Sequence, residues 1–94
     1  MSLSTRDFNC IWHPYTPMKI RPNAIGIVRG NGALLFDEAG KSYIDGVSSW
    51  WVNLHGHSHP AIADAIYQQA NTLAHCMFAG LTHEPAVQYA EQLL

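Results

Sequence analysis

Three histidines at alternate positions form the densest group of potential metal ligands in the sequence: His55, His57 and His59. On a strand, alternate side chains share one face, so three imidazoles could meet at a zinc ion. The same stretch also fits a polar loop that leads into a helix, with His59 acting as its cap before a proline. No cysteine or carboxylate lies within the run to complete a metal site, so we favour the loop and assign no metal ligand.

Two aromatic clusters are the other candidates for a binding site. On an extended backbone, Trp50 and Trp51 cannot both point into one core, so one of them could wall a cavity with a flat apolar face and an N–H donor. Packing in a core or an interface is the alternative, which composition alone favours. The segment 12–16, Trp-His-Pro-Tyr-Thr, could be a packing anchor or a lid that carries the Tyr15 hydroxyl.

Composition and missing motifs exclude several classes of function. No G-x-S-x-G, G-x-G-x-x-G or P-loop motif is present, which argues against those nucleophile and phosphate sites. The five basic residues form no cluster, which argues against nucleic acid or an anionic membrane as partner. Two cysteines outside any C-x-x-C pair, with no signal-peptide pattern, predict reduced thiols and a cytoplasmic protein.

The share of charged residues is too low to cover the surface of an ordinary soluble domain. Charged residues make up 13% of the chain, about half of the ordinary share of roughly 25%. The length allows a thin core of its own, because a chain of this mass should bury about two-thirds of its surface. The shortage of charge predicts, in addition, surface that is covered by something else.

The elements that must position these residues begin with an arm and a sheet. Residues 1–24 contain three prolines and predict an extended arm with a short helical turn around residues 5–11. Residues 25–46 predict an antiparallel meander, because short apolar stretches alternate with turns that contain glycine. Its strands are expected at residues 25–29, 33–37 and 42–45.

A loop and two helices follow the meander. Residues 47–59 predict a candidate active-site loop, and residues 60–94 predict two helices. The first begins at His59-Pro60 and carries an apolar stripe, and the second begins near Thr82 as cap. The second helix ends at Leu94 without a stop signal, which predicts that the 94 residues are one segment of a longer chain.

Two motifs together resemble a known enzyme family. The first motif is Asp45-Gly46 followed by a loop of serine and tryptophan, and the second is residues 56–60, Gly-His-Ser-His-Pro, at the start of a helix. Both resemble the N-terminal part of class III aminotransferases. These are pyridoxal-phosphate enzymes of fold type I. The resemblance implies an α/β fold for the parent enzyme, with this chain an α+β N-terminal piece.

A sharper resemblance comes from three further stretches and covers residues 11–94. Three stretches resemble those members of the family that act in biotin biosynthesis. They are residues 11–16, Ile-Trp-His-Pro-Tyr-Thr, residues 48–51, Ser-Ser-Trp-Trp, and residues 77–83. One departure is Ala79, where the family commonly has glycine.

This resemblance implies a cytoplasmic homodimer that transfers an amino group from S-adenosylmethionine to 7-keto-8-aminopelargonate. By its match to the family motif, Tyr15 would contact the keto acid and stack on the adenine of the donor. Trp50 would line the substrate pocket, with Trp51 beside it.

The cofactor implied by the resemblance is pyridoxal phosphate, which needs a lysine to form a Schiff base. Lys19 and Lys41 are the only lysines, and neither matches the catalytic lysine of the family. The cofactor is therefore expected to be bound by parts of the parent enzyme outside this chain, and the 94 residues alone to be inactive.

The sequence is also compatible with three other functions. One is another class III aminotransferase that uses an ordinary ω-amino donor. The second is a small metal-binding module built on His55, His57 and His59, and the third is a complete, non-catalytic interaction domain.

Overall fold

The computed structural model describes all 94 residues and divides them into two compact units, Met1–His59 and Pro60–Leu94. The first unit contains a helix, a three-stranded sheet and a one-turn helix, and the second contains two helices. Their bounds are α1 (Leu3–Cys10), β1 (Ile27–Asn31), β2 (Leu34–Asp37), β3 (Ser42–Ile44), α2 (Ser48–Trp51), α3 (Pro60–Thr72) and α4 (Glu84–Leu93). The predicted α+β content, a strand meander followed by two helices, is confirmed.

Helix α1 has a side-chain partner at each end. Its first turn is capped by Ser2, whose hydroxyl oxygen accepts a hydrogen bond from the Thr5 N–H at 3.1 Å. At the other end, the Arg21 guanidinium donates to the carbonyls of Phe8 and Ile11 at 2.7 Å each. These bonds satisfy backbone groups that a helix end leaves unpaired. The predicted short helix therefore exists, and it begins earlier because Ser2 supplies a cap.

The segment before the sheet is tied down rather than extended throughout. The N–H of Leu3 donates to both carboxylate oxygens of Glu38 at 2.9 and 3.0 Å. The N–H of Glu38 in turn donates to the Gly26 carbonyl at 3.1 Å. Within the segment, the Nε2 atom of His13 lies 2.8 Å from a carboxylate oxygen of Asp7. The start of α1 is thus fixed to the turn of the second hairpin.

The three strands form an antiparallel sheet in the order β1-β2-β3, as predicted. Strand β1 lies two residues later than expected, because the first turn is the two-residue loop Gly32-Ala33, closed by the pair Asn31 and Leu34. Gly32 has φ +57°, a conformation that glycine adopts without steric cost and that hairpin loops of this length require.

The second hairpin turn is organised by the carboxylate of Asp37. It accepts hydrogen bonds from the N–H groups of Ala39 and Lys41 and from the Tyr43 hydroxyl, each at 2.9 Å. The Tyr43 hydroxyl, more than the N–H groups, lowers the pKa of Asp37 below its ordinary 3.8. The stabilisation that this carboxylate gives is therefore complete above its ordinary pKa and is lost as the pH falls through the lower folded value.

The two helices of the second unit begin at prolines or close to them. Helix α3 begins at Pro60, as predicted. The predicted cap of α4, Thr82, is wrong: His83 is the cap, and its Nδ1 atom accepts from the Ala86 N–H at 3.3 Å. A cap at Thr82 would place Pro85 at the third helical position, where the cap needs an N–H donor that proline lacks.

No residue of the chain is fully buried. The chain exposes 8098 Å², whereas a compact chain of this mass exposes about 5,400 Å². The expectation of a thin independent core is therefore wrong, and the expectation of surface that something else covers is supported. No helix combines the length and apolar character needed to cross a membrane.

Candidate functional site

Two of the three predicted site residues meet in the first unit. The rings of Tyr15 and Trp50 pack edge to face, with centroids 5.2 Å apart and an angle of 62° between the planes. This is a favoured aromatic geometry. Tyr15 is 89% exposed and Trp50 is 62% exposed. The pair therefore offers aromatic surface that a flat ring or an aliphatic chain can contact.

The third predicted site residue, Trp51, follows Trp50 in the chain but does not join the pair. It is 81% exposed and packs against neither the Trp50 nor the Tyr15 ring. The two adjacent tryptophans thus differ in their surroundings, but the extended backbone on which that expectation rested is wrong, because both residues lie in a helical turn.

The backbone that carries both tryptophans is a left-handed helical turn. The four residues of α2 have φ values of +50°, +47°, +65° and +70°, and the Trp51 N–H donates to the Val47 carbonyl at 2.9 Å. A left-handed conformation costs roughly 1–2 kcal/mol per residue for any amino acid with a Cβ. Four in succession persist only where surrounding contacts hold them.

Those contacts centre on the carboxylate of Asp45, which precedes the turn. It accepts from the Ser49 N–H at 2.9 Å and from the Ser49 hydroxyl at 2.8 Å, and it lies 2.7 Å from His57 Nε2. The side chains of Asp45 and His57 are only 6% and 14% exposed. The Ser49 N–H, followed by its hydroxyl and by His57, lowers the pKa of Asp45, so the carboxylate is an ionised acceptor.

Asp45, Ser49 and His57 are the residue types of a hydrolytic triad, but their connectivity is different. The Ser49 hydroxyl donates to the carboxylate rather than to an imidazole nitrogen, so no base activates it. Since an ionised carboxylate only accepts, His57 carries its proton on Nε2 toward Asp45. The arrangement is suited to holding the backbone, not to nucleophilic attack.

The imidazole of His57 is itself fixed by the first hairpin. The backbones of His57 and Gly32 exchange two hydrogen bonds, of 2.8 and 3.1 Å, and the Ser58 hydroxyl donates to the Gly30 carbonyl at 2.8 Å. A Cβ atom on Gly30 would lie 2.7 Å from the His57 Cβ, closer than real side chains approach. Glycine at position 30 therefore makes room for the ring that contacts Asp45.

The metal interpretation of the histidine cluster finds no support in this geometry. The Nε2 atom of His57 faces Asp45, while the rings of His55 and His59 pack against each other with centroids 6.4 Å apart. No group of three histidine, cysteine or carboxylate side chains comes together in a way that could bind a metal ion.

Sequence reasoning treated Asp45 only as part of a motif and missed its network. A usable signal was present, since Asp45 and Ser49 are four residues apart, and short polar side chains at such spacings often bond to the local backbone. His57 had no comparable signal, because its contact with Asp45 depends on how the sheet brings a later loop back.

The lysines do not provide a pyridoxal-phosphate site. Lys19 is exposed on the arm, and the Lys41 ammonium lies over the Tyr43 ring, 5.0 Å from its centroid, in an exposed hairpin turn. A Schiff-base lysine needs an enclosed position beside the groups that bind the rest of the cofactor. Neither lysine of these 94 residues therefore has the surroundings of a Schiff-base lysine.

Comparison with known proteins decides the family. The family model for Aminotransferase class-III matches residues 15–94, most of the chain. The chain belongs to the class III aminotransferases. This class III aminotransferase sequence is 51% identical over 83 residues to the adenosylmethionine-8-amino-7-oxononanoate aminotransferase of Synechococcus elongatus, covering 88% of this chain and 20% of that protein.

Solved structures of transaminases share the fold. The adenosylmethionine-8-amino-7-oxononanoate aminotransferase of Methanocaldococcus jannaschii matches 97% of this class III aminotransferase chain with a TM-score of 0.90 and 41% identity. The ω-transaminase of Pseudomonas jessenii, solved in complex with PMP, matches 99% with a TM-score of 0.86 and 33% identity. Each match covers 21% of the solved chain. The fold type I class expected from the resemblance is thus confirmed, and the chain spans about a fifth of the length of these relatives.

Proposed function

We propose that these 94 residues are the N-terminal segment of an adenosylmethionine–8-amino-7-oxononanoate aminotransferase, the diaminopelargonic acid synthase of biotin biosynthesis. The complete enzyme would transfer an amino group from S-adenosylmethionine to 7-keto-8-aminopelargonate and yield 7,8-diaminopelargonate. The observation that carries the proposal is the exposed Tyr15–Trp50 pair, which the resemblance assigned to the substrate pocket and which forms in this chain.

The aromatic pair matches the chemistry of both substrates. S-adenosylmethionine carries a flat adenine ring, which the face of Tyr15 can stack on. The keto acid carries a long aliphatic chain, which the apolar surface of Trp50 can cover, with Trp51 at the edge of the pocket. The Tyr15 hydroxyl can orient a polar end of the keto acid by a hydrogen bond.

The cofactor and the second subunit complete this assignment. Pyridoxal phosphate would accept and return the amino group, and the lysine that binds it would lie outside the present residues. The exposed apolar surface of the chain supports coverage by the rest of the enzyme and by a partner subunit of a homodimer.

A growth assay tests the proposal in the full-length enzyme. We expect the full-length gene to restore growth without biotin to a bacterium that lacks this aminotransferase step. Feeding 7,8-diaminopelargonate is the matched control, since it should rescue every strain whatever gene it carries. Growth that always requires fed 7,8-diaminopelargonate would overturn the proposal.

A second candidate is a class III aminotransferase that uses an ordinary ω-amino donor. The likeness to the Pseudomonas jessenii ω-transaminase, at 33% identity, favours it as the alternative. The two candidates differ in what Tyr15 must contact, because only S-adenosylmethionine brings an adenine ring. If the full-length enzyme transfers an amino group to the keto acid from an ordinary ω-amine and not from S-adenosylmethionine, the ω-amine candidate replaces the first.

A further inference from the structure

We propose that Asp45 and His57 are positioning residues that hold the left-handed turn Ser48–Trp51 and so place the Trp50 ring against Tyr15. The inference rests on the proposed function for its catalytic consequence, while its structural part stands on the hydrogen bonds alone. No hydrogen bond or ring–ring contact joins Asp45, Ser49 or His57 to the aromatic rings of the pair. They act through the backbone between them and Trp50.

The left-handed turn is anchored at its start. The Asp45 N–H donates to the Ala33 carbonyl at 2.8 Å, which fixes Asp45 to the first hairpin. Its carboxylate then bonds both the N–H and the hydroxyl of Ser49, the residue before Trp50. Since the left-handed conformation is unfavourable for serine and tryptophan, these bonds are what keeps the backbone in it.

The carboxylate of Asp45 is itself held from the side opposite the turn. His57 Nε2 lies 2.7 Å from the oxygen that also accepts from the Ser49 hydroxyl. The imidazole cannot move away easily, because the His57 backbone bonds to Gly32 and its ring packs on Gly30. The hairpin, His57 and Asp45 thus form one rigid connection to the turn.

The position of the aromatic pair depends on these hydrogen bonds. Loss of the Asp45 bonds frees Ser49 and Trp50 to relax to right-handed or extended backbone. The Trp50 ring then leaves its edge-to-face contact with Tyr15, and both substrates lose the surface that the pair presents. An interaction of this kind affects substrate binding more than the chemical step, so KM should change and kcat should not.

The test is made in the full-length enzyme with Asp45→Ala. We expect KM for both substrates to rise about tenfold to a hundredfold, the range for losing the contact surface of one large side chain, with kcat nearly unchanged. Asp45→Asn, which keeps an acceptor for the Ser49 N–H, should recover part of the loss. The matched control is Asp37→Asn, which removes a similarly bonded carboxylate from the second hairpin turn and should leave both KM values unchanged.

A spectroscopic arm separates this inference from the proposed function. With 5-fluorotryptophan in the enzyme, the Trp50 resonance is assigned by its loss in Trp50→Phe, and Asp45→Ala should shift it while Asp37→Asn should not. This arm decides the inference even if S-adenosylmethionine proves not to be a substrate. An unshifted Trp50 resonance in Asp45→Ala, or equal effects of the two aspartate variants, overturns it.

Two further variants keep the test decisive if Asp45→Ala yields no soluble enzyme. Ser49→Ala removes one hydroxyl and should raise both KM values by about threefold to tenfold, the range expected for one hydrogen bond. Gly30→Ala places a methyl group against the His57 ring and should shift the Trp50 resonance without touching the turn. Unchanged KM values in Ser49→Ala together with an unshifted resonance in Gly30→Ala contradict the positioning role.

Discussion

Replacing Trp50 with alanine in the full-length enzyme should lower kcat/KM for the overall reaction by about a hundredfold, chiefly through KM. The Trp50 ring supplies half of the Tyr15–Trp50 pair and is 62% exposed in these 94 residues. Its loss removes a large aromatic surface from the contact with substrate. Burial of such a side chain contributes about 3 kcal/mol to the free energy of binding. Steady-state kinetics with S-adenosylmethionine and 7-keto-8-aminopelargonate measure the change.

Two conservative variants make this prediction specific. Trp50→Phe keeps an aromatic face and should lose much less than Trp50→Ala. Tyr15→Phe keeps the ring and removes the hydroxyl, so KM for the keto acid should rise by about fivefold to tenfold, the effect of one hydrogen bond. If Trp50→Ala and Trp50→Phe behave alike, with kcat/KM near that of the unchanged enzyme, Trp50 does not line the pocket.

The isolated 94-residue chain should show no cooperative thermal unfolding. No residue is fully buried, and large apolar side chains, among them Trp12, Ile44 and Trp51, are exposed. Too little apolar surface is removed from water to offset the conformational entropy of 94 residues, which is of order 100 kcal/mol. Circular dichroism during heating should give a gradual change, and the chain should bind a hydrophobic dye and associate.

The same measurement discriminates against an independent interaction domain. Such a domain unfolds in one sharp transition and is a monomer or a defined dimer at the concentrations used. A sharp transition whose calorimetric and van't Hoff enthalpies agree would contradict the prediction that these residues need the rest of the enzyme to fold. The full-length enzyme is the positive control. In it, the backbone amides of these residues should be protected from hydrogen exchange.

The regular elements of this chain followed from local signals. The strands were predicted because glycine-containing turns separate short apolar stretches, and α3 was predicted because Pro60 opens an apolar period. The errors lie at the ends of elements. The start of β1 depends on which glycine forms the first hairpin turn. The cap of α4 depends on the position of Pro85, because proline has no N–H to donate to a capping side chain.

The candidate site was predicted only in part. Tyr15 and Trp50 were named from a family resemblance, and the structure shows them in contact, but nothing local indicated that contact. The left-handed turn could not be predicted, because serine and tryptophan do not favour positive φ. The turn exists because Asp45 and His57 hold it, and His57 reaches Asp45 through the pairing of its loop with the first hairpin.

We propose that this chain helps bind S-adenosylmethionine as the amino donor, and a single-turnover measurement decides whether it does. The full-length enzyme, loaded with pyridoxal phosphate, is mixed with S-adenosylmethionine or with an ordinary ω-amine, and the loss of the cofactor's absorption band is followed. We predict rapid loss with S-adenosylmethionine, little with the ω-amine, and a much weaker response in Trp50→Ala. Rapid loss with the ω-amine and none with S-adenosylmethionine would show that S-adenosylmethionine is not the amino donor.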